Sequence, residues 1–578
     1  MNIQFSPPDI TDLEIAEVTA ALKSGWITTG PRTKLFEKKI AEYCGTPMAV
    51  CLNSATAALE LVLRRLGVGP GDEVITCAYS YTASASVIDH VGAKIVFVDV
   101  EPGTYHIDYE KTACAITERT KVIIPVDIGG VMVDYDKVFA AVESRKNLFS
   151  PANDIQRLFG RVIVLADAAH SFGATYHGMR SGAVADFTCF SFHAVKNLTT
   201  AEGGALVWRD IPGLNHDELY HFLMLYSLHG QSKDALSKMR LGAWEYDILF
   251  PAYKCNMTDL TAALGLVQLQ RFHGLSERRK HIIQEYDRVL LPLGIERLEH
   301  IGANVGQDFE GNGHLYLMRV PGITETKRNE LIAKMAEVGI ACNVHFKPLP
   351  MHTAYKNLGF DIKDFPESYR QYANEITLPL HTLLTDEEVA YVAKTMKNIL
   401  EGVRVVRTIM PGNIEFKRVW DNDAEGIQAI YNIIKECGEK MFLEDGLLHW
   451  ADPLPHDSIR AMCLENEVYL LRHKKLAKPI AFYAVTDKMS SYFDIDRRAA
   501  YISRIAVSPE LWRSGIGKIM IAQIVQYAKE HRCDCVRTTV YEKSAKAIEF
   551  FQKNHFLDKY KRPTKNFVVL CIEKEIET

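Results

Sequence analysis

No apolar stretch of this 578-residue chain is long enough to span a bilayer, and the opening "MNIQFSPPDITDLEIAEV" lacks a basic start followed by an apolar run. These absences lead us to expect a cytoplasmic protein with no membrane partner. A basic field is also missing: 67 Lys+Arg stand against 72 Asp+Glu, for a formal net charge of -5, and no segment arrays the basic residues. Nucleic acid is therefore not expected as a partner. The twelve cysteines are scattered, and the closest pair, Cys533 and Cys535 in "CDCVRTTV", has no second pair at metal-ligand spacing. They read as free, buried thiols, and no metal site is expected. There is no internal repeat and no low-complexity tract.

What is present is a chain too long for one core, with 47% hydrophobic and 24% charged residues. From residue 48 onward, short β-branched runs alternate with helical periods: "MAVCLNS", "DEVITCA", "AKIVFVDV", "KVIIPVDI", "RVIVLAD", "FTCFSFH" and "GGALVW". Apolar strands alternating with helices predict a mostly parallel sheet covered on both faces, with ligands at the carboxyl ends of its strands. "NSATAALELVLRRLG" predicts a helix capped by Ser54 and closed by Gly67, and residues 145–160 read as inserted loop. Beyond residue 250, "MTDLTAALGLVQLQRF" and "LSERRKHIIQEYDRVL" suggest two long helices. A strand at "GHLYLMRV", a helix over 324–338, "IACNVHF" and an amphipathic helix over 386–401 complete a smaller α/β unit. The helical period stops at 403–413, where Pro-Gly-Asn intervenes, and this marks a linker between residues 1–402 and 414–578. The first part divides into a large domain over about 1–250 and a small one over 251–402. The second alternates a hairpin, strands and two helices.

"SFHAVKNLTTAEGG", residues 191–204, holds a single lysine, Lys196. Lysine is most often a solvated surface group, but its amine also forms a Schiff base with an aldehyde such as that of pyridoxal phosphate (PLP). A protein using it so must also hold a phosphate, a ring face and a protonated pyridine nitrogen. Asp167, ending the apolar run "RVIVLA", is placed to pair with that nitrogen. "NSAT" offers N–H groups at a helix start for the phosphate, Ser191 a further hydroxyl, and Tyr81 a ring for stacking. Singly, each is equally explained by capping, turn chemistry or packing; together, in this order on successive strand ends, they point to a cofactor.

The blocks "SGWITTGP", "NSATAALELVL", "GDEVIT", "GAKIVFVDVEPGTYHID", "ADAAHSFGATYHG", "FSFHAVKNLTTAEGG" and "YKCNMTDLTAALGLVQL" resemble the DegT/DnrJ/StrS family of PLP-dependent nucleotide-sugar aminotransferases over about residues 5–400. The resemblance implies a type I aminotransferase fold. It assigns Lys196 to the Schiff-base lysine, Asp167 to the pyridine nitrogen, His170 to the ring hydroxyl and Tyr81 to the stacking ring. Ala55, Thr56 and Ser191 become phosphate contacts, and Asn256 reaches the phosphate of a neighbouring subunit's cofactor, implying a homodimer with shared sites. Trp26, Thr28 and His345 line the sugar-nucleotide pocket. A dehydratase branch of the family has histidine at the lysine position, so Lys196 favours transamination, with glutamate as amino donor. Two departures are Asp127 in "PVDIGG", where relatives often have histidine, and the 145–160 insertion.

"WRSGIG", between the strand "YISRIAVSP" and an apolar helix, is a pyrophosphate-cradle pattern. With the order of elements over about 414–578 it resembles the GNAT N-acetyltransferases, an α+β fold. In that resemblance the main chain of Ile505 and Val507 bonds the pantetheine arm, while Arg513, Ser514, Gly515, Ile516, Gly517 and Lys518 hold the pyrophosphate of acetyl-CoA. Trp512, Ser544 and Phe551 depart from the family pattern, and Phe551 replaces a tyrosine that often protonates the leaving thiolate. Tyr541, Glu444 and His449 are candidate acid or base groups. The combined expectation is a bifunctional enzyme that aminates C4 of a nucleotide-linked 4-keto-6-deoxy sugar and then N-acetylates it for polysaccharide biosynthesis. The alternatives are an aminotransferase with a non-catalytic GNAT-like module, or a PLP-dependent sugar dehydratase.

Overall fold

The computed structural model describes all residues except 233–244, 305–306, 407–413, 451, 474–478, 495–496, 513 and 577–578. The chain divides into two compact units, one of Met1–Pro321 with Glu330–Lys397, the other of Gly322–Asn329 with Asn398–Thr578.

The first unit is built on a seven-stranded sheet in the order Ala49–Leu52, Gly204–Trp208, Phe187–Ser191, Ile163–Asp167, Thr120–Ile124, Glu73–Cys77, Lys94–Val98. These are the seven apolar runs of the sequence. Only Gly204–Trp208 is antiparallel to its neighbours, and helices bury both faces, which is why the strands carry apolar residues at nearly every position. The helix Ala55–Arg65 starts as expected: Ser54 accepts from the Ala57 N–H at 3.1 Å, and Gly67, at φ +71°, follows its end.

Residues 145–160 are not plain loop. They hold a short 3-10 turn and the helix Asp154–Phe159, capped by Asn153. The side chains of Asn153 and Gln156 both donate to the Leu66 carbonyl, at 2.8 and 2.7 Å, satisfying the end of the neighbouring helix.

The two helices expected after residue 250 are one, Asp259–Leu290, of 32 residues. Gly274 falls in its interior, where glycine disfavours helix by about 1 kcal/mol. A buried stripe that includes Val267, Phe272, Leu275, Ile282 and Tyr286 continues across it, and this packing outweighs the local preference. A small antiparallel sheet pairs Tyr316–Arg319 with Glu296–Arg297 and with Glu375–Leu378. The segment "IACNVHF" is not a strand: it forms one isolated bridge to this sheet, Asn343 to Thr377, and another from Ile340 to Ile3. The last helix, Asp386–Val406, runs into the expected linker, whose remainder, 407–413, lies outside the described residues.

The second unit is a seven-stranded sheet in the order Ile414–Val419, Glu467–His473, Pro479–Thr486, Ala499–Val507, Cys535–Tyr541, Val568–Glu575, Leu557–Pro563. Its one parallel pair, Ala499–Val507 with Cys535–Tyr541, is joined only from Ala499–Cys535 to Ile502–Thr538. Past Ile502 the two strands diverge. A register shift between Ala484 and Val485 marks the start of the divergence on the other edge, where Ser503 is the extra residue. The helices Ala424–Asp445 and His456–Glu465 cover one face, and Ile516–Glu530 the other.

Candidate active sites

In the first unit, Asp167 ends its strand and is buried, 4% exposed. Its Oδ2 accepts from the Ser84 hydroxyl at 2.6 Å and its Oδ1 from the Ala169 N–H at 3.2 Å. Burial raises its pKa, opposed by these two bonds and by the charge of Lys196. Lys196 sits in the turn after Phe187–Ser191, with its N–H on the His193 carbonyl at 2.9 Å. Burial lowers its pKa from 10.5 to about 8, while Asp167 acts to raise it. A lysine amine so held is partly neutral near physiological pH and can act as a nucleophile or base.

Three histidines surround this pair, and the charge of Lys196 adds to burial in keeping each neutral. Their tautomers follow from their partners. The Gly129 N–H donates to Nδ1 of His170 at 3.1 Å, so the proton of His170 is on Nε2, which can donate to a ring hydroxyl. His345 is the opposite case. The Thr377 hydroxyl gives its hydrogen to Glu375 at 2.6 Å, so its oxygen accepts from Nδ1–H of His345 at 2.9 Å and leaves Nε2 as an acceptor. Burial pushes the pKa of His345 down to about 3. The third, His314, was not singled out in the sequence. Its ring lies 4.4 Å from that of His170, and its Nδ1 pairs with Oδ1 of Asn197 at 2.9 Å. Asn197 also donates to the Asn312 carbonyl at 2.9 Å, and Asn312 donates to the carbonyls of His170 and Phe172, at 2.6 and 2.9 Å. This network fixes the residue beside Lys196 to the His170 turn.

The phosphate side is equally specific. Ser54 caps through Ala57, which leaves the N–H groups of Ala55 and Thr56 at the helix start without a hydrogen bond among the described residues. A Cβ added to Gly204 would lie 2.4 Å from the Ala55 nitrogen and 2.5 Å from the Ser54 carbonyl carbon. The strand after the lysine turn thus touches the start of the Ala55–Arg65 helix, and only glycine permits it. Ser191 lies half-buried on the neighbouring strand. These donors, the buried carboxylate and the lysine fit a PLP-like group. Tyr81 is 61% exposed, its ring 5.8 Å from that of Phe346, which is itself 5.8 Å from His170.

Trp26 donates from Nε1 to the Thr29 carbonyl at 3.2 Å, while Thr28 is exposed and its carbonyl accepts from the Asp259 N–H at 3.1 Å. Asn256 is buried, and in the single chain its amide donates to Thr29 and accepts from Lys254. Asp127 is buried too, accepting from Ser171 at 2.7 Å, the Val133 N–H at 3.0 Å and Tyr135 at 3.2 Å; burial pushes its pKa up to about 7. It shapes the turn that presents Gly129 to His170.

In the second unit, the Ser508 N–H donates to the Ile480 carbonyl at 2.8 Å. Alternation along the strand therefore turns the main-chain groups of Val507 and Ile505 to the edge left open by the divergence. The Val507 carbonyl accepts from the Trp512 indole at 2.7 Å, which gives the departure at 512 a structural role. Gly515, at φ +90°, precedes the helix Ile516–Glu530, whose start has no side-chain cap. The buried Ser514 hydroxyl has no partner among the described residues, and the N–H of Lys518 turns back to the Gly515 carbonyl at 3.1 Å. A Cβ on Gly517 would lie 2.7 Å from Phe550. An uncapped helix start beside an orphan hydroxyl fits a pyrophosphate. Arg513 lies outside the described residues. Phe551 is packed in the core, 5.1 Å from the rings of Phe550 and Phe556.

Residues 8–397 match the DegT/DnrJ/EryC1/StrS aminotransferase family. The chain belongs to this family. Residues 427–556 of this aminotransferase-family chain match the Acetyltransferase (GNAT) family, so it carries a C-terminal GNAT domain. It is 38% identical over 408 residues to the spore coat polysaccharide biosynthesis protein SpsC of Bacillus subtilis (strain 168), covering 69% of this chain and 97% of that one. Among solved structures it is similar to Spr1654 of Streptococcus pneumoniae, named as a sugar aminotransferase. The PMP form shares 54% identity at a TM-score of 0.67, covering 69% of this chain and 100% of that one. Helicobacter pylori PseC, an aminotransferase involved in the biosynthesis of pseudoaminic acid, is 28% identical at a TM-score of 0.59, over 70% of this chain and 100% of its own. The type I aminotransferase fold read from the sequence is thus the fold of the first unit. Among the described residues, no helix is long and apolar enough to cross a membrane.

Proposed function

We propose that the chain is a bifunctional nucleotide-sugar enzyme of the cytoplasm, acting on a sugar destined for a polysaccharide. Residues 1–402 transfer an amino group, with glutamate as donor, to C4 of a nucleotide-linked 4-keto-6-deoxy sugar. Residues 414–578 then N-acetylate the new amine with acetyl-CoA. The observation that carries the first half is Lys196, half-buried, with its pKa lowered by burial and raised by the charge of the Asp167 carboxylate. The family, the SpsC relative and the PLP form in which Spr1654 was solved support the cofactor.

When bound, PLP supplies an electron sink for the carbon that loses its proton. The protein supplies the rest. Lys196 would hold the cofactor's aldehyde, and its Nζ, with a pKa lowered to about 8, would take and return the proton of the donor carbon. Asp167 keeps the ring nitrogen protonated, and the Ser84 hydroxyl and Ala169 N–H hold it in place. Nε2–H of His170 donates to the ring hydroxyl. Ala55, Thr56 and Ser191 bind the phosphate, and Tyr81 covers the ring. His345, with Nε2 as acceptor, orients a sugar hydroxyl, and the Trp26–Thr28 segment lines the same pocket. In a homodimer, Asn256 exchanges its bonds within the chain for the phosphate in the neighbouring site.

The test incubates the full chain with PLP, glutamate, acetyl-CoA and UDP-, dTDP- or GDP-4-keto-6-deoxyhexoses, and reads products by mass spectrometry. A 4-amino product that gains an acetyl group only with acetyl-CoA is expected. Loss of water without nitrogen gain would replace the amination reading by dehydration. An amino product that is never acetylated would leave the second unit a non-catalytic module.

A further inference from the structure

The second unit carries an aromatic cluster that its cofactor cradle does not use. Arg504 lies on one diverging strand and Tyr541 on the other, both beyond the last paired residues, Ile502 and Thr538. Side-chain alternation sends Ile505 and Val507 toward the Ile516–Glu530 helix, with which they pack, and Arg504 to the opposite face with Ala506. His449 and Trp450 span the gap on that face. The His449 ring is 4.6 Å from Tyr541 and 6.5 Å from Phe567, and Arg504 sits 5.7 Å over the Trp450 ring. Gly438 anchors this segment: a Cβ there would lie 1.9 Å from the Trp450 carbonyl oxygen. Nδ1 of His449 is buried and has no hydrogen-bond partner among the described residues.

We propose that His449 is the catalytic base of the acetyl transfer, with Trp450, Tyr541 and Phe567 as apolar walls for a sugar ring. This rests on the acetylation reading above. Burial and the charge of Arg504 lower the pKa of His449, so the imidazole is neutral and able to take a proton. Histidine suits the step because the amine of an amino sugar is largely protonated near neutral pH and must lose a proton before it attacks. His449 takes that proton. The amine nitrogen then forms a bond to the carbonyl carbon of the acetyl thioester and the carbon–sulfur bond breaks. The coenzyme leaves as thiolate and takes up, through water, the second proton that the nitrogen sheds as the amide forms, because Phe551 offers no hydroxyl. The rings stack on the apolar face of the sugar, and Arg504 is at hand for the phosphates or hydroxyls of its nucleotide.

The test uses the full chain with acetyl-CoA and UDP-, dTDP- and GDP-4-amino-4,6-dideoxyhexoses, following thiol release. H449Q should lower kcat at least 100-fold while calorimetry shows unchanged coenzyme A binding, and added imidazole should restore release in H449A. The acceptor should also protect His449 from carbethoxylation, read by peptide mass spectrometry without turnover. Release by H449Q within threefold of the wild type, or carbethoxylation unaffected by acceptor, would overturn this inference and leave the acetylation reading standing. No release by the wild type with any acceptor removes both. If the variants are destabilised, the protection experiment on the wild-type chain decides alone.

Discussion

The hydroxyl of Ser84 donates to Oδ2 of Asp167 at 2.6 Å, and the bond joins the helix start after one strand to the carboxyl end of another. It favours the charged form of a carboxylate whose pKa burial raises. Removing it as Ser84→Ala takes away a charge-assisted bond that contributes about 1.5–3 kcal/mol. The pKa of Asp167 then rises further, so less of it is ionised as the pH falls. We expect weaker PLP binding, seen by fluorescence quenching, and a rate that falls at higher pH than in the wild type.

Lys196 is expected to load with cofactor as a base. Its folded pKa is lowered from 10.5 to about 8, so raising the pH deprotonates it and speeds PLP attachment, with a midpoint near 8 rather than the ordinary lysine value. Stopped-flow absorbance gives that midpoint. Borohydride reduction should fix the cofactor's mass on the peptide spanning 191–204, and Lys196→Ala should carry none of it and lose turnover.

Gly204→Ala brings a methyl group to 2.4 Å from the Ala55 nitrogen and 2.7 Å from the Phe190 carbonyl, all backbone that cannot rotate away. Overpacking of this kind costs about 1–3 kcal/mol. The expected result is a lower melting temperature together with loss of PLP affinity. Retained affinity, measured by equilibrium dialysis, would show that the Ala55–Thr56 helix start does not bind the phosphate.

In the second unit, Gly438→Ala should displace the His449–Trp450 segment, because the new methyl group meets the Trp450 carbonyl at 1.9 Å. Acetyl transfer should drop at least tenfold while amination by the same preparation proceeds, a split that mass spectrometry of both products would show.

The chain's alternation of apolar runs and helical periods suffices to place all seven strands of the large sheet, because a doubly covered strand needs apolar residues at every position. Ser54, Asp167 and Lys196 are legible for a related reason: a cap, a strand end and a turn are local features. The single helix Asp259–Leu290 was not, since Gly274 is a local break that only packing overrides. Nor were the helix Ala424–Asp445 and the strand Glu375–Leu378 anticipated. His314 opens the strand read at "GHLYLMRV", with nothing local to mark it as a site residue until Asn197 and His170 are brought to it from positions 117 and 144 residues earlier. Ser84 was one of several small hydroxyl residues in "SYTASAS", with nothing local to single it out.

By itself the sequence determined the order of elements, the chemistry available at the ends of the strands and the two families whose patterns it carries, because these depend on residue type and spacing along the chain. The tertiary structure decided which of those groups meet. The tautomers of His170 and His345, the depressed pKa of Lys196 and the pairing of His449 with Tyr541 each depend on atoms distant in sequence, whose burial and hydrogen bonds exist only once the sheets have closed.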